Sequence, residues 1–138
     1  MNAQRMTRLS LVLVGCLVGL WQGGCAAREQ YQGQRGLVGT YRGGTLTAVL
    51  PPETRVPAVV AAAEAMFKDR GYAVAQSSST EDAGRVIARP PRYSSYPRMF
   101  MAVDLVENGT RVQFTYEPLG NEEVCRASLD ALLKRLGM

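Results

Sequence analysis

Asn108-Gly109, set between two runs of alternating residues, constrains the fold more than any other feature of the chain. Asn-Gly is the strongest short-range signal for a two-residue hairpin, because both residues accept the positive φ that such a turn demands. Before the turn, Met99, Met101, Val103 and Leu105 line one side of a strand; after it, Val112, Phe114 and Tyr116 line one side of the next. The interleaved Arg111, Gln113, Thr115 and Glu117 are expected to face water. A sheet that is apolar on one side only must bury that side, and helices are the elements that cover it.

The sequence supplies two such helices. Leu46, Ala48 and Leu50 alternate with Thr45, Thr47 and Val49 in a first strand, which Pro51-Pro52 ends. Thr54 is the expected cap of a helix with the apolar stripe Val56, Val59, Val60, Ala63, Met66 and Phe67; Pro57 falls in its first turn and Gly71 stops it. Two short strands follow, 72–77 and 84–89, joined by the polar stretch Ser78-Ser79-Thr80-Glu81-Asp82. Asn121 caps the last helix, Glu122 and Glu123 suit the dipole of its first turn, and Cys125, Leu129, Leu132, Leu133 and Leu136 form its buried stripe. On that stripe Cys125 reads as a buried, inert thiol. The expected order is β-α-β-β-β-β-α: an α+β domain over residues 44–138, with a mainly antiparallel four- to five-stranded sheet and two helices packed on one face.

The amino-terminal segment has a different character. Arg5 and Arg8 precede an apolar run from Leu9 to Trp21, and small residues surround Cys25 in Gly23-Gly24-Cys25-Ala26-Ala27. The run is too short for the roughly 20 apolar residues that span a bilayer. A basic start, a short apolar region and a small-residue cut form a secretory signal over residues 1–24. With the cysteine placed there, the segment resembles bacterial lipoprotein leaders, in which that cysteine becomes the lipidated first residue of the mature chain. Cys16 is the alternative, since Leu13-Val14-Gly15-Cys16 has the Leu-small-Gly-Cys pattern, but cutting there leaves only Leu9 to Gly15 as the apolar region. The resemblance implies a covalent N-terminal lipid as the sole prosthetic group and the bilayer as a partner, reached through the acylated cysteine. Ala26, standing where Asp would retain a lipoprotein in the inner membrane, implies the periplasmic face of the outer membrane in a diderm host. Residues 25–43, rich in Gly, Gln, Arg and Tyr, read as the lipidated terminus and a flexible tether with a span of roughly 23 Å. Arg28, Arg35 and Arg42 lie on it, within reach of anionic lipid.

Composition narrows the chemistry. Arg5 and Arg8 leave with the signal, so the formal charge falls from +4 to +2, and a nucleic-acid partner loses both its charge and its compartment. The chain has no histidine, which excludes His-based acid-base catalysis, Ser-His-Asp and Cys-His systems and His-ligated metals. Ser77-Ser78-Ser79 forms no Ser-x-x-Lys motif, and Gly33, Gly36 and Gly39 lack the strand-loop-helix context of a phosphate-binding loop. No catalytic residue and no metal site are expected. The most site-like stretch runs from Arg89 to Arg98, where Arg89, Arg92, Tyr93, Tyr96 and Arg98 sit among three prolines. Forked donors and flat aromatic faces on a stiff loop suit carboxylates, phosphates or sugar rings.

The chain also resembles a family of small bacterial envelope lipoproteins with a single domain of unknown function. The resemblance lies in Tyr41-Arg42-Gly43-Gly44-Thr45-Leu46, in the Ala-rich first helix ending Arg70-Gly71-Tyr72, in Gly84-Arg85-Val86-Ile87-Ala88-Arg89, in Gly109-Thr110-Arg111-Val112, and in Gly120-Asn121-Glu122. It implies no activity, ligand or catalytic residue. The expectation is a membrane-anchored, non-enzymatic interaction or assembly module of the cell envelope, whose partner is an envelope protein or an anionic glycan. The alternative is a carrier or sensor of a small amphipathic ligand, held in a cavity lined by Met66, Phe67, Met101, Phe114 and Leu133.

Overall fold

A computed structural model describes residues 26–93 and 96–138. The segment read as a leader, with Cys16 and Cys25, lies outside the described residues, as do Ser94 and Ser95 of the Arg89–Arg98 loop. The elements run β1 (Arg28–Gln32), β2 (Leu37–Arg42), β3 (Thr45–Leu50), α1 (Val56–Asp69), β4 (Ala73–Ser79), β5 (Ala83–Arg89), β6 (Arg98–Val106), β7 (Gly109–Glu117) and α2 (Glu122–Arg135). All strands join one antiparallel sheet in the order β1-β2-β3-β7-β6-β5-β4. The α+β class and the two helices on one face are as expected. The sheet is not: it has seven strands rather than four or five, and the order gains two strands at its start.

Both extra strands come from the stretch read as a tether. Residues 28–42 form the hairpin β1–β2, in register from Arg28 opposite Tyr41 to Gln32 opposite Leu37, and β2 pairs onward with β3. The folded domain therefore begins well before residue 44. Helix α1 also differs at its start, since Arg55 occupies the cap position and no side chain caps the helix; Thr54 is buried beneath. Asn121 caps α2 as expected, accepting from the Val124 N–H at 3.1 Å.

The Asn108-Gly109 hairpin sets the centre of the molecule. Val103 opposes Val112 and Met101 opposes Phe114, and all four are fully buried under the helices with Leu46, Phe67, Leu129 and Leu133. Each such side chain contributes about 1.5–3 kcal/mol by leaving water. The two turn residues are Glu107 and Asn108 rather than Asn108 and Gly109, because Gly109 already pairs with Val106; Gly109 opens β7 with φ +150°, and a Cβ there would lie 2.1 Å from the Leu50 carbonyl oxygen. The same core removes the space that the amphipathic-ligand reading needs. Met66, Phe67, Met101, Phe114 and Leu133 are at most 3% exposed and belong to one packed cluster, with the rings of Phe67 and Phe114 edge to face at 6.5 Å.

The antiparallel topology gives the sheet two ends. At the proximal end β1, β3, β4 and β6 begin and β2, β5 and β7 finish; the distal end holds the Glu107-Asn108 turn. The chain enters at the proximal end through Ala26 and Ala27. Among the described residues no helix is long and apolar enough to cross a membrane.

Candidate interaction surface

With both helices on one side, the other side of the sheet is left uncovered by described residues. The strand registers order its side chains into rows. One row runs Ile87, Phe100, Thr115, Thr45; the next runs Arg85, Ala102, Gln113, Thr47, Thr40. Most of these side chains are half-buried by their neighbours, and Arg85 is exposed. The polar ones bond across strands, Thr45 with Thr115 at 2.9 Å and Gln113 with Thr47 at 3.4 Å. Arg111 donates through Nε and Nη2 to Asp104 at 3.0 and 2.9 Å, a paired charge on this face. A fixed array of hydroxyls, amides and paired charges around Phe100 and Ile87 gives a partner directional bonds together with apolar area.

The loop from β5 to β6 leaves this face at the proximal end. Arg98 pairs with Glu117, its cross-strand partner, and its guanidinium lies over the Tyr96 ring at 5.0 Å. The bond to Glu117 raises the Arg98 pKa above the ordinary arginine value. Arg92 is exposed and has φ +72°, an unfavourable conformation for a residue with a Cβ. Tyr93 and Tyr96 are both 53% exposed. On the helix side, burial raises the Tyr116 pKa, and its neighbours Tyr72 and Tyr93 raise it further. Arg89, at the end of β5, is half-buried at the root of the loop. The five predicted residues thus share one end of the sheet. Tyr96 and Arg98 form a stacked unit, while Arg92 and Tyr93 project from the loop.

Sequence reasoning missed a third feature, the docking of β1–β2 onto α2. Arg126 is nearly buried. Its guanidinium donates to Glu122 Oε1 (3.0 and 2.8 Å), Gln32 Oε1 (3.2 Å), the Gly39 carbonyl (3.1 Å) and the Arg28 carbonyl (3.0 Å), and Gln32 donates back to the Arg126 carbonyl at 3.0 Å. Gly39 makes the approach feasible, because a Cβ there would stand 2.5 Å from Gln32 Oε1. An open cleft of about 510 Å³ runs above, lined by Arg28, Gln30, Glu122, Glu123, Arg126 and Asp130. Its central charges are engaged with one another, Arg28 also reaching Glu122 at 3.3 Å, so the cleft reads as the seam of a docked hairpin. The signal was present in the spacing of Glu122, Arg126, Leu129 and Leu133, which puts an arginine on the inward stripe of α2.

Cys125 lies beside this seam. Burial pushes its thiol up to about 11, against backbone hydrogen bonds at Tyr116 and Asn121 that act in the opposite direction. It is fully buried, as the stripe required. Among the described residues no group of three or more Cys, Asp or Glu is arranged to hold a metal ion. The chain matches no protein-family model, and no curated protein is significantly similar to it.

Proposed function

We propose that the protein is a lipid-anchored, non-enzymatic interaction or assembly module of the cell envelope, held at its membrane by an acylated Cys25 and binding an envelope protein through the uncovered face of its sheet. The observation that carries this reading is the sheet itself. Seven strands are held flat against two helices, and the opposite side keeps Thr45, Thr47, Gln113 and Thr115 in a bonded array next to Phe100 and Ile87. Such a face offers a partner a preorganised surface at little entropic cost. The leader supports the compartment and the anchor, and the absence of histidine in the chain supports a role in binding rather than in acid-base chemistry.

Two measurements test the proposal. Intact mass of the membrane-extracted chain is expected to fit residues 25–138 plus acyl chains and to lose that mass in Cys25→Ser; lipid persisting in that variant moves the anchor to Cys16. A photo-reactive residue replacing Gln113 or Phe100 in the cell is expected to give a discrete protein adduct, weakened by Arg85→Glu. The same probe at Ala61, exposed on α1, serves as the control. Matching adducts at Ala61 and Gln113, or none at Gln113, would end the interaction-module reading.

A further inference from the structure

We infer that the proximal end of the sheet is a membrane-contact surface, which sets the domain end-on against anionic phospholipid headgroups. This inference rests on Cys25 as the lipidated residue and deepens that reading.

The first argument is reach. β1 begins at Arg28, three positions after Cys25, so the folded domain lies at most about 10 Å of extended chain from the anchor. A free tether over residues 25–43 would have held it off by a coil of many residues; instead β1 is bonded to β2 and clamped by Arg126. The end of the sheet at which β1 starts is therefore the end held at the bilayer.

The second argument is charge. The turns at the proximal end carry Arg70 and Arg92 and no acid; the exposed Arg42 borders them, as do Glu29 and Glu123 and the acids Asp69, Glu117 and Glu122, each of these three paired with an arginine. The distal turns carry Glu53, Glu81, Asp82 and Glu107 against Arg35 and Arg55. The proximal turns are therefore cationic and the distal turns net acidic. Guanidinium groups match phosphate oxygens, and each basic residue near an anionic surface adds to the attraction.

The third argument is apolar exposure at the same end. Leu119, in the turn between β7 and α2, is 93% exposed, and Tyr93 and Tyr96 are exposed at the same end of the sheet. Tyrosine with an apolar neighbour suits the headgroup region, where one part of the ring is dry and the hydroxyl is wet. Charge, apolar side chains and chain entry coincide, and an anionic lipid surface is the one occupant that uses all three.

The test uses the full chain, expressed in a diderm bacterium, checked for acylation by intact mass, and reconstituted in vesicles of phosphatidylglycerol and phosphatidylethanolamine or of phosphatidylcholine alone. An environment-sensitive fluorophore is attached at Leu119→Cys or, at the distal end, at Leu105→Cys, whose parent residue is 53% exposed. Buried Cys125 does not compete for the label. Spin-labelled lipid is expected to quench the label at position 119 and to spare the label at 105, in the anionic vesicles above all. Arg42→Glu with Arg92→Glu should lower the docked-to-undocked ratio on the order of tenfold, as should added salt. Equal quenching at both positions, or none at 119, in a chain whose mass shows acylation overturns the contact surface and leaves the anchor standing. Shielding of 119 without quenching by lipid places a protein there and overturns it as well. A chain with no acyl mass ends the anchor reading, and the surface is then judged by sedimentation of that chain with anionic vesicles. Binding that is lost on charge reversal sustains it, and no binding overturns it.

Discussion

The hairpins β1–β2 and β6–β7 are built on one antiparallel ladder and are held to the helices by opposite physics. The inward side chains of β6–β7 include Met99, Met101, Val103, Val112 and Phe114, all fully buried; Leu105, the last apolar residue of the expected stripe, lies at the distal end and is 53% exposed. Their attachment is apolar, roughly proportional to area and indifferent to direction. The inward positions of β1–β2 include Gln32 and Gly39; Leu37 and Tyr41 pack half-buried at the edge of the core, and directed bonds that converge on one guanidinium fix the hairpin. Each bond is worth about 0.5–1.5 kcal/mol net while every partner is present, and more is lost when a buried partner is left unpaired. An area-based attachment degrades in proportion to what is removed, whereas a convergent polar one fails as a unit.

The largest expected effect lies in the apolar hairpin. Phe114→Ala removes a ring at the centre of the core, and the cost expected for such a cavity is about 3–5 kcal/mol. Urea denaturation should show it as a shifted midpoint, with hydrogen exchange rising throughout the molecule, in β1–β2 as much as in β5 and β6. Exchange rising around β7 alone would mean that the core is not one cooperative unit, and the contrast between the hairpins would lose its meaning.

Arg126→Met tests the other side. The substitution keeps much of the apolar stem and removes the donors, leaving Gln32, Glu122 and the carbonyls of Arg28 and Gly39 without their shared partner. Breaking a buried charge pair costs about 3–5 kcal/mol; with Glu122 a quarter exposed, about 1–3 kcal/mol is expected here. The distribution of the change matters more than its size. Exchange should rise in residues 28–42 and stay near its original rate in β6 and β7, as a sub-global opening would give. A uniform rise would show that β1–β2 is as integral to the fold as the central hairpin.

The same contrast explains what could be read from the sequence. Asn108-Gly109 with Met99, Met101, Val112 and Phe114 was legible because a period of two in apolar residues reports burial directly. β1–β2 carries polar residues on both faces, so Gln30-Tyr31-Gln32-Gly33-Gln34 shows no such period and reads as coil. What docks it on α2 is Arg126, 94 positions away from Gln32, and local pattern does not encode a contact of that separation. The Arg89–Arg98 loop was legible as a cluster of arginines and tyrosines. Its place at the end where the chain enters was not, since that depends on the directions of all seven strands.

The effect expected to be smallest at neutral pH sharpens the comparison where the two hairpins meet. Cys125 on α2 is hydrogen-bonded at the backbone of Tyr116 in β7, and its thiol is one of the influences that raise the Tyr41 pKa in β2 after burial itself. The folded thiol ionises at about 11, and an unfolded cysteine at about 8.5. Below the unfolded value both states are protonated and this contribution to stability is whole. Between about 8.5 and 11 the unfolded chain releases a proton that the folded one retains, so stability falls as pH rises through that window and is untouched below it. Tyr41 and Tyr116, also raised by burial, add a decline of the same sign at higher pH. Denaturant unfolding from pH 8 to 11 should therefore fall more steeply for the native chain than for Cys125→Ala, with the difference opening near pH 9. Equal slopes would mean that the thiol reaches solvent in the folded state, which requires the polar hairpin to open often enough to expose the seam; exchange in residues 28–42 should then be fast even with Arg126 in place.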